Sequence, residues 1–176
     1  MNLKRLFFWA FIFSVLLGYV LLSEKKPVEK KQAKDNTKLV KVFSFSPEDM
    51  QRVEIIQENK KVILRKISEK WELVSPEPKQ EVRQEAVTSI ISAITDTINI
   101  EVITDAPEDL TQYGLSSPST VLTIFLEGKD VPVVFLMGSK TPTTISLYAM
   151  MKEENTVITI GTFLSSSINS FMYNFR

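Results

Sequence analysis

The sequence predicts an α+β protein in which an N-terminal transmembrane helix precedes a domain of two similar halves, each an antiparallel β-meander with a longer helix. Three observations support this. The chain opens with an uncharged apolar run, short alternating segments are separated by turn signals, and two segments repeat apolar residues at helical spacing. The expected boundaries are 1–22 for the anchor, 23–38 for a charged spacer and 39–176 for the domain, with halves at about 39–104 and 105–176.

The apolar run Leu6–Leu22 is interrupted only by the small residues Ser14 and Gly18. As a helix it would cover roughly 26 Å, close to a hydrocarbon core of about 30 Å. A cleaved signal peptide would have a shorter run and a small-residue cleavage site. The run could also be a buried core helix, but it is apolar on every face, which suits lipid better. The run therefore favours an uncleaved signal anchor in the cytoplasmic membrane.

Flanking charge gives a mixed signal for orientation. Lys4 and Arg5 favour an N-terminus inside the cell, whereas the lysines of 25–38 oppose it. Because long domains are translocated despite flanking charge, we expect the large domain on the extracytoplasmic side. The spacer has only Val28 and Ala33 as apolar side chains, so the sequence predicts an extended segment there.

Composition excludes several chemistries. The chain has no histidine and no cysteine, which removes Ser-His-Asp and Cys-His catalysis, His- or Cys-ligated zinc, iron–sulfur clusters and disulfides. Residues 39–176 carry 13 basic and 18 acidic side chains, a net charge of −5, so no basic surface is expected for nucleic acid. We expect no catalytic residue, no cofactor and no metal site.

The first half opens with Ser46-Pro47-Glu48-Asp49, a helix-start signature. The pattern then predicts strands at 52–57, 61–67 and 70–74, a helix at 81–98 and a strand at 99–104. The helix is predicted from Val87, Ile90, Ile91, Ile94 and Ile98, which share one face.

The second half repeats the pattern. Ala106-Pro107-Glu108-Asp109-Leu110 resembles the earlier helix start, and Gly114 is placed to end that helix in a left-handed conformation. Strands are expected at 119–127, 131–137, 145–151 and 156–160, with a final helix at 162–173.

Few residue groups are candidates for chemistry. Gly138-Ser139-Lys140-Thr141 looks like the end of a phosphate-binding loop, but Val133 stands where the first glycine is required, so a strand-end turn is the better interpretation. Ser139 and Lys140 as a nucleophile pair would point apart on an extended chain. The acid pairs Glu48/Asp49 and Glu108/Asp109 could serve a metal or acid–base chemistry, but helix capping explains both.

The C-terminal aromatic cluster has two interpretations. Its residues give the last helix an apolar face that could pack on the sheet, or they could form an exposed partner surface. The candidate partner-surface residues are Phe171, Met172, Tyr173 and Phe175.

Several motifs, taken in order, resemble the bacterial domain of unknown function 4340 family. They are Phe43–Asp49, Trp71–Pro76, Asp109-Leu110 with Tyr113-Gly114-Leu115 and Pro118, and Leu136–Pro142. The resemblance covers about 39–176. It implies an N-terminally anchored α+β protein, and some members resemble partners of gliding-motility-type ABC-transporter auxiliary proteins. It implies no catalytic residue.

These observations favour a membrane-anchored, non-enzymatic accessory or interaction domain of a cell-envelope complex. The alternative is an extracytoplasmic small-molecule or glycan binder that uses a groove between the two halves. An enzyme that uses carboxylates alone is a third option, which would need two acids about 5–10 Å apart in a cleft.

Overall fold

Nine strands form one antiparallel sheet in the computed structural model, which describes residues 40–76 and 82–173. The strands are β1 (Val40–Lys41), β2 (Met50–Gln57), β3 (Lys60–Ile67), β4 (Lys70–Ser75), β5 (Ile98–Thr104), β6 (Thr120–Leu126), β7 (Val133–Lys140), β8 (Ser146–Met151) and β9 (Val157–Gly161). The helices are α1 (Gln84–Thr95) and α2 (Phe163–Tyr173), and single 3-10 turns occupy Pro47–Asp49 and Thr111–Tyr113.

The prediction of two similar halves is wrong. The strand order is β1-β5-β9-β8-β7-β6-β2-β3-β4, so the four strands of the supposed second half lie between strands of the supposed first half in a single sheet. Ile55 of β2 pairs with Leu122 of β6, and Asn99 of β5 pairs with Ile160 of β9. Since these pairs join the two supposed halves into one sheet, the predicted α+β class with two half-domains is wrong. The described residues form one mostly antiparallel β-sheet unit with two helices.

Both helices pack on the same face of this sheet. The central strands contribute alternating side chains to the main core, such as Leu122 and Ile124 on β6, both fully buried. From the helices, Ile90, Ile94, Leu164 and Ile168 enter the same cluster. This period-2 and period-3.6 burial is the pattern that the sequence analysis used to place the elements.

The opposite face, called the outer face below, has a small cover at one end. The loop between β5 and β6 crosses it and buries Leu115 against Met150 and Val157. Tyr113 and Tyr148 pack edge to face there, with ring centroids 5.1 Å apart. Over β2, β3 and β6, the apolar residues Ile63, Val121 and Phe125 of this face are only partly buried.

The predicted anchor Leu6–Leu22 and spacer 23–38 lie outside the described residues. Within residues 40–76 and 82–173, neither helix has the length and apolar character needed to cross a bilayer.

Candidate functional site

The two edges of the sheet differ in how they are protected. At β4, the side-chain amide of Gln84 bonds the backbone of Trp71 twice: it accepts from the Trp71 N–H at 3.2 Å and donates to the Trp71 carbonyl at 2.8 Å. A helix side chain therefore occupies backbone groups that would otherwise be open to another strand.

The other edge is open over most of its length. β1 pairs with β5 only at Ile98 and Asn99, so the outer edge of Ile100–Thr104 has no strand beside it among the described residues. Four apolar side chains here are more than a third exposed: Val40 (60%), Ile100 (41%), Val102 (50%) and Ile103 (37%). We call these four residues the β5 patch.

The register of β5 explains part of this exposure. Pairing with β9 is irregular between Asn99 and Glu101 and again between Val102 and Thr104, which leaves Ile100 and Ile103 without a partner residue on β9. Irregularities of this kind can twist an edge strand so that it does not pair with other protein chains, and they also occur beside binding sites. Here they leave branched apolar side chains in contact with water.

A charged cluster lies on the outer face. The Glu54 carboxylate is buried, with 8% of the residue exposed, and it is ion-paired with the Arg52 guanidinium and, at 2.7 Å, with Lys61 Nζ. Arg52 also stacks over the Phe125 ring, 4.9 Å from its centroid. Both cations neutralise the one carboxylate, so the cluster is best explained as a structural ion-pair network.

The two glycine-containing motifs of the sequence meet at the covered end of the outer face. A side chain at Gly138 would overlap the Tyr113 carbonyl oxygen, and one at Gly114 would overlap Ser139. Gly114 has a φ of 68°, in the left-handed region. Ser139 and Lys140 are exposed and are the last residues of β7. The motif therefore ends the strand and serves close backbone packing, but Gly138–Lys140 are strand residues and not the predicted turn.

The acid pairs stabilise turns. The Ser46 backbone N–H donates to Asp49 Oδ2 at 2.8 Å, and the Ser46 hydroxyl donates to Glu48 Oε2 at 2.6 Å. The hydroxyl bond is the main cause that lowers the pKa of Glu48. Similarly, the Thr111 N–H donates to Asp109 Oδ1 at 2.7 Å and lowers the pKa of Asp109. Within residues 40–76 and 82–173, no three acidic side chains converge in a way that could hold a metal ion.

The C-terminal aromatic cluster is divided by the structure. Phe171 and Met172 are each 4% exposed and belong to the main core, as the packed-helix interpretation expects. Tyr173 is 62% exposed, and Phe175 lies outside the described residues. Among the described residues, Tyr173 is therefore the one member of this cluster that is exposed enough to contact a partner.

Several open grooves indent the described surface. One of about 440 Å³ lies between the β2–β3 turn and the end of α2 and includes Gln57, Lys60 and Asn169. The Gln57 amide donates to the Asn169 side-chain oxygen at 2.6 Å. A second groove, of about 370 Å³, separates α1 from α2, and a third, of about 330 Å³, lies beside Phe43.

Residues 40–76 and 82–173 thus define an antiparallel-sheet domain with both helices on one face and a sheet edge along Ile100–Thr104 that has no strand beside it within those residues. Residues 71–176 match the family model described as "Domain of unknown function (DUF4340)", and the chain belongs to this family. No curated protein and no solved structure matches the chain.

Sequence reasoning did not find the β5 patch. The segment Ile98–Thr104 was predicted as a strand, but its apolar residues do not indicate which strands lie beside it. The signal available was the density of branched apolar residues in Ile100, Val102 and Ile103, which suits a strand buried on both faces. Their exposure follows from the position of β5 next to a two-residue edge strand.

Proposed function

We propose that the chain is a membrane-anchored, non-enzymatic interaction domain of a cell-envelope complex. In this proposal Leu6–Leu22 holds it in the cytoplasmic membrane as a single-pass anchor, with the large domain on the extracytoplasmic side. The observation that carries the proposal is the β5 patch, where four branched apolar side chains are exposed at a sheet edge that has no strand beside Ile100–Thr104 among the described residues.

Exposed apolar side chains that cluster on a folded surface are typical of protein–protein contacts. Isolated exposed apolar residues are ordinary, and Ile145 and Val131 are examples here. The β5 patch differs because Ile100, Val102 and Ile103 lie within four residues of one edge strand. Their side chains are distributed over both faces of the sheet, so the feature they share is the edge itself.

The partner in this proposal is an envelope protein, and an ABC transporter is one candidate. The apolar run Leu6–Leu22 supports a membrane location, and the family resemblance supports association with transporter auxiliary proteins. The charged sequence 23–38 separates the run from the domain and would set how far the domain reaches.

Affinity purification of tagged full-length protein from mildly solubilised native membranes tests this function. We expect envelope or transporter subunits to copurify, and to be lost when a cleavable signal replaces residues 1–22. Recovery of the protein alone, after chemical crosslinking as well, would contradict the proposal.

A second candidate, binding of a small molecule or glycan, rests on the groove beside Gln57 and Asn169. Its polar lining of amide, lysine and serine groups suits sugar hydroxyls. The groove that the sequence analysis expects between two halves is not present, because the strands of both halves form one sheet among the described residues. Thermal-shift screening tests this candidate, since a ligand that binds only the folded protein raises its melting temperature.

A further inference from the structure

The edge of β5 has the length and backbone of a strand-addition site. Its open part, Ile100–Thr104, contains five residues, and a strand of that size spans roughly 17 Å. An added strand would bond to the free backbone groups and cover apolar side chains. At the other edge of the sheet, on β4, Gln84 already bonds the backbone N–H and carbonyl of Trp71, whereas no such side-chain bond to the β5 edge is present among the described residues.

The charged side chains near this edge indicate which charge a complementary partner segment would carry. The chain has no lysine or arginine between Arg83 and Lys129. Glu101 lies on the edge strand, and Asp105, Glu108 and Asp109 follow it in the adjoining loop, all exposed. The nearby cation on β1, Lys41, already pairs with Asp96 at 3.0 Å. Among the described residues of β5 and the loop that follows it, the exposed side chains are therefore mainly apolar or acidic.

We infer that the partner adds a basic, apolar extended segment as a further strand along Ile100–Thr104. This inference rests on the proposed function and specifies how the partner binds. Backbone hydrogen bonds to the edge supply affinity, branched side chains cover the β5 patch, and lysine or arginine side chains face Glu101 and the loop that begins at Asp105.

Binding of a fluorescent peptide of alternating lysine and valine to the full-length protein, measured by anisotropy, tests the inference. Replacement of every lysine in the peptide by glutamate should weaken binding at least tenfold, and methylation of alternate backbone nitrogens should abolish it. The first change probes charge and the second probes strand addition.

Matched variants locate the site. Ile100→Glu should weaken binding of the lysine–valine peptide about tenfold or more, whereas Ile67→Glu should leave it unchanged, since Ile67 is similarly exposed (43%) on β3. Glu101→Lys should likewise weaken binding, while Glu72→Lys on the protected β4 edge should not. Equal binding of the lysine and glutamate peptides, or equal effects of the paired variants, would overturn the inference.

Two other occupants of the edge are distinguishable. A dimer seen by light scattering and broken by Ile100→Glu would mean that a second copy fills the edge. Peptide binding that needs deletion of 23–38 would mean that the chain's own basic segment fills it. Either result would overturn the inference, whereas copurification of an envelope partner that is insensitive to Ile100→Glu would leave the proposed function standing.

Discussion

Gly138 on β7 lies directly beneath the Tyr113 carbonyl, so closely that no side chain fits between them. The carbonyl carbon of Gly114 and Cγ of Leu115 would each lie 3.1 Å from a β-carbon at position 138. This contact holds the loop between β5 and β6 on the outer face, where Leu115 and Val157 are buried. The two motifs that contain these glycines are separated in sequence and adjacent in the fold.

Gly138→Ala should therefore destabilise the protein by about 1–3 kcal/mol, because the methyl group meets backbone that has little room to move. Urea unfolding of the full-length protein measures the change. Gly161→Ala is the control, since a β-carbon there meets nothing within 4 Å, and it should change stability by less than about 0.5 kcal/mol. Equal effects at both positions would show that the loop is not fixed by this contact.

Gln84→Ala tests the protection of the β4 edge. Loss of the two bonds to the Trp71 backbone should cost about 0.5–1.5 kcal/mol, because water can replace the amide at this edge. Hydrogen exchange at the Trp71 amide should become faster, which loss of helix stability alone would not produce. Gln51→Ala removes a longer exposed bond, at 3.4 Å to Glu127, and should leave that amide unchanged.

Local periodicity was enough to place most of the elements. The alternation over β6 predicts its buried side, and Leu122, Ile124 and Leu126 are buried as that alternation requires. The helix predicted at 81–98 lies at Gln84–Thr95, because Thr97 instead donates its hydroxyl to the Ala93 carbonyl and the chain turns into β5. The alternation within a strand and the end of a helix both depend on residues only a few positions away in the sequence.

Strand order was not predictable in the same way. Val53 pairs with Ile124 across β2 and β6, and either residue would satisfy many other apolar partners equally well. The period of apolar side chains identifies the buried face of a strand, but it does not identify which strand pairs with it. The same limit hid the β5 patch, since exposure at an edge follows from strand order and not from the residues of β5.

The ion pairs of Glu54 give a prediction for the outer face. Glu54→Leu should destabilise the protein by about 1–3 kcal/mol, because the partly buried Arg52 guanidinium loses its carboxylate. The double variant Glu54→Leu/Arg52→Met should recover much of that loss, since the one cation then left without its carboxylate is Lys61, whose side chain is 46% exposed and solvated by water. Chemical unfolding of both single variants and the double variant gives the coupling; simple additivity would contradict a paired network.

Asp109 provides a pH-dependent prediction for the loop that crosses the outer face. The Thr111 N–H lowers the pKa of Asp109 from its ordinary 3.8 in the folded protein. The ionised carboxylate therefore stabilises the fold above pH 3.8, and this contribution is lost as the pH falls through the lower folded-state value. Asp109→Asn keeps an oxygen that can accept from Thr111 but removes the charge. We expect the variant to unfold at lower urea than the wild type at neutral pH, and the two to converge in acid, with Glu108→Gln as a charge-matched control. A difference between Asp109→Asn and wild type that stays constant as the pH falls would mean that the charge of Asp109 does not act through this bond.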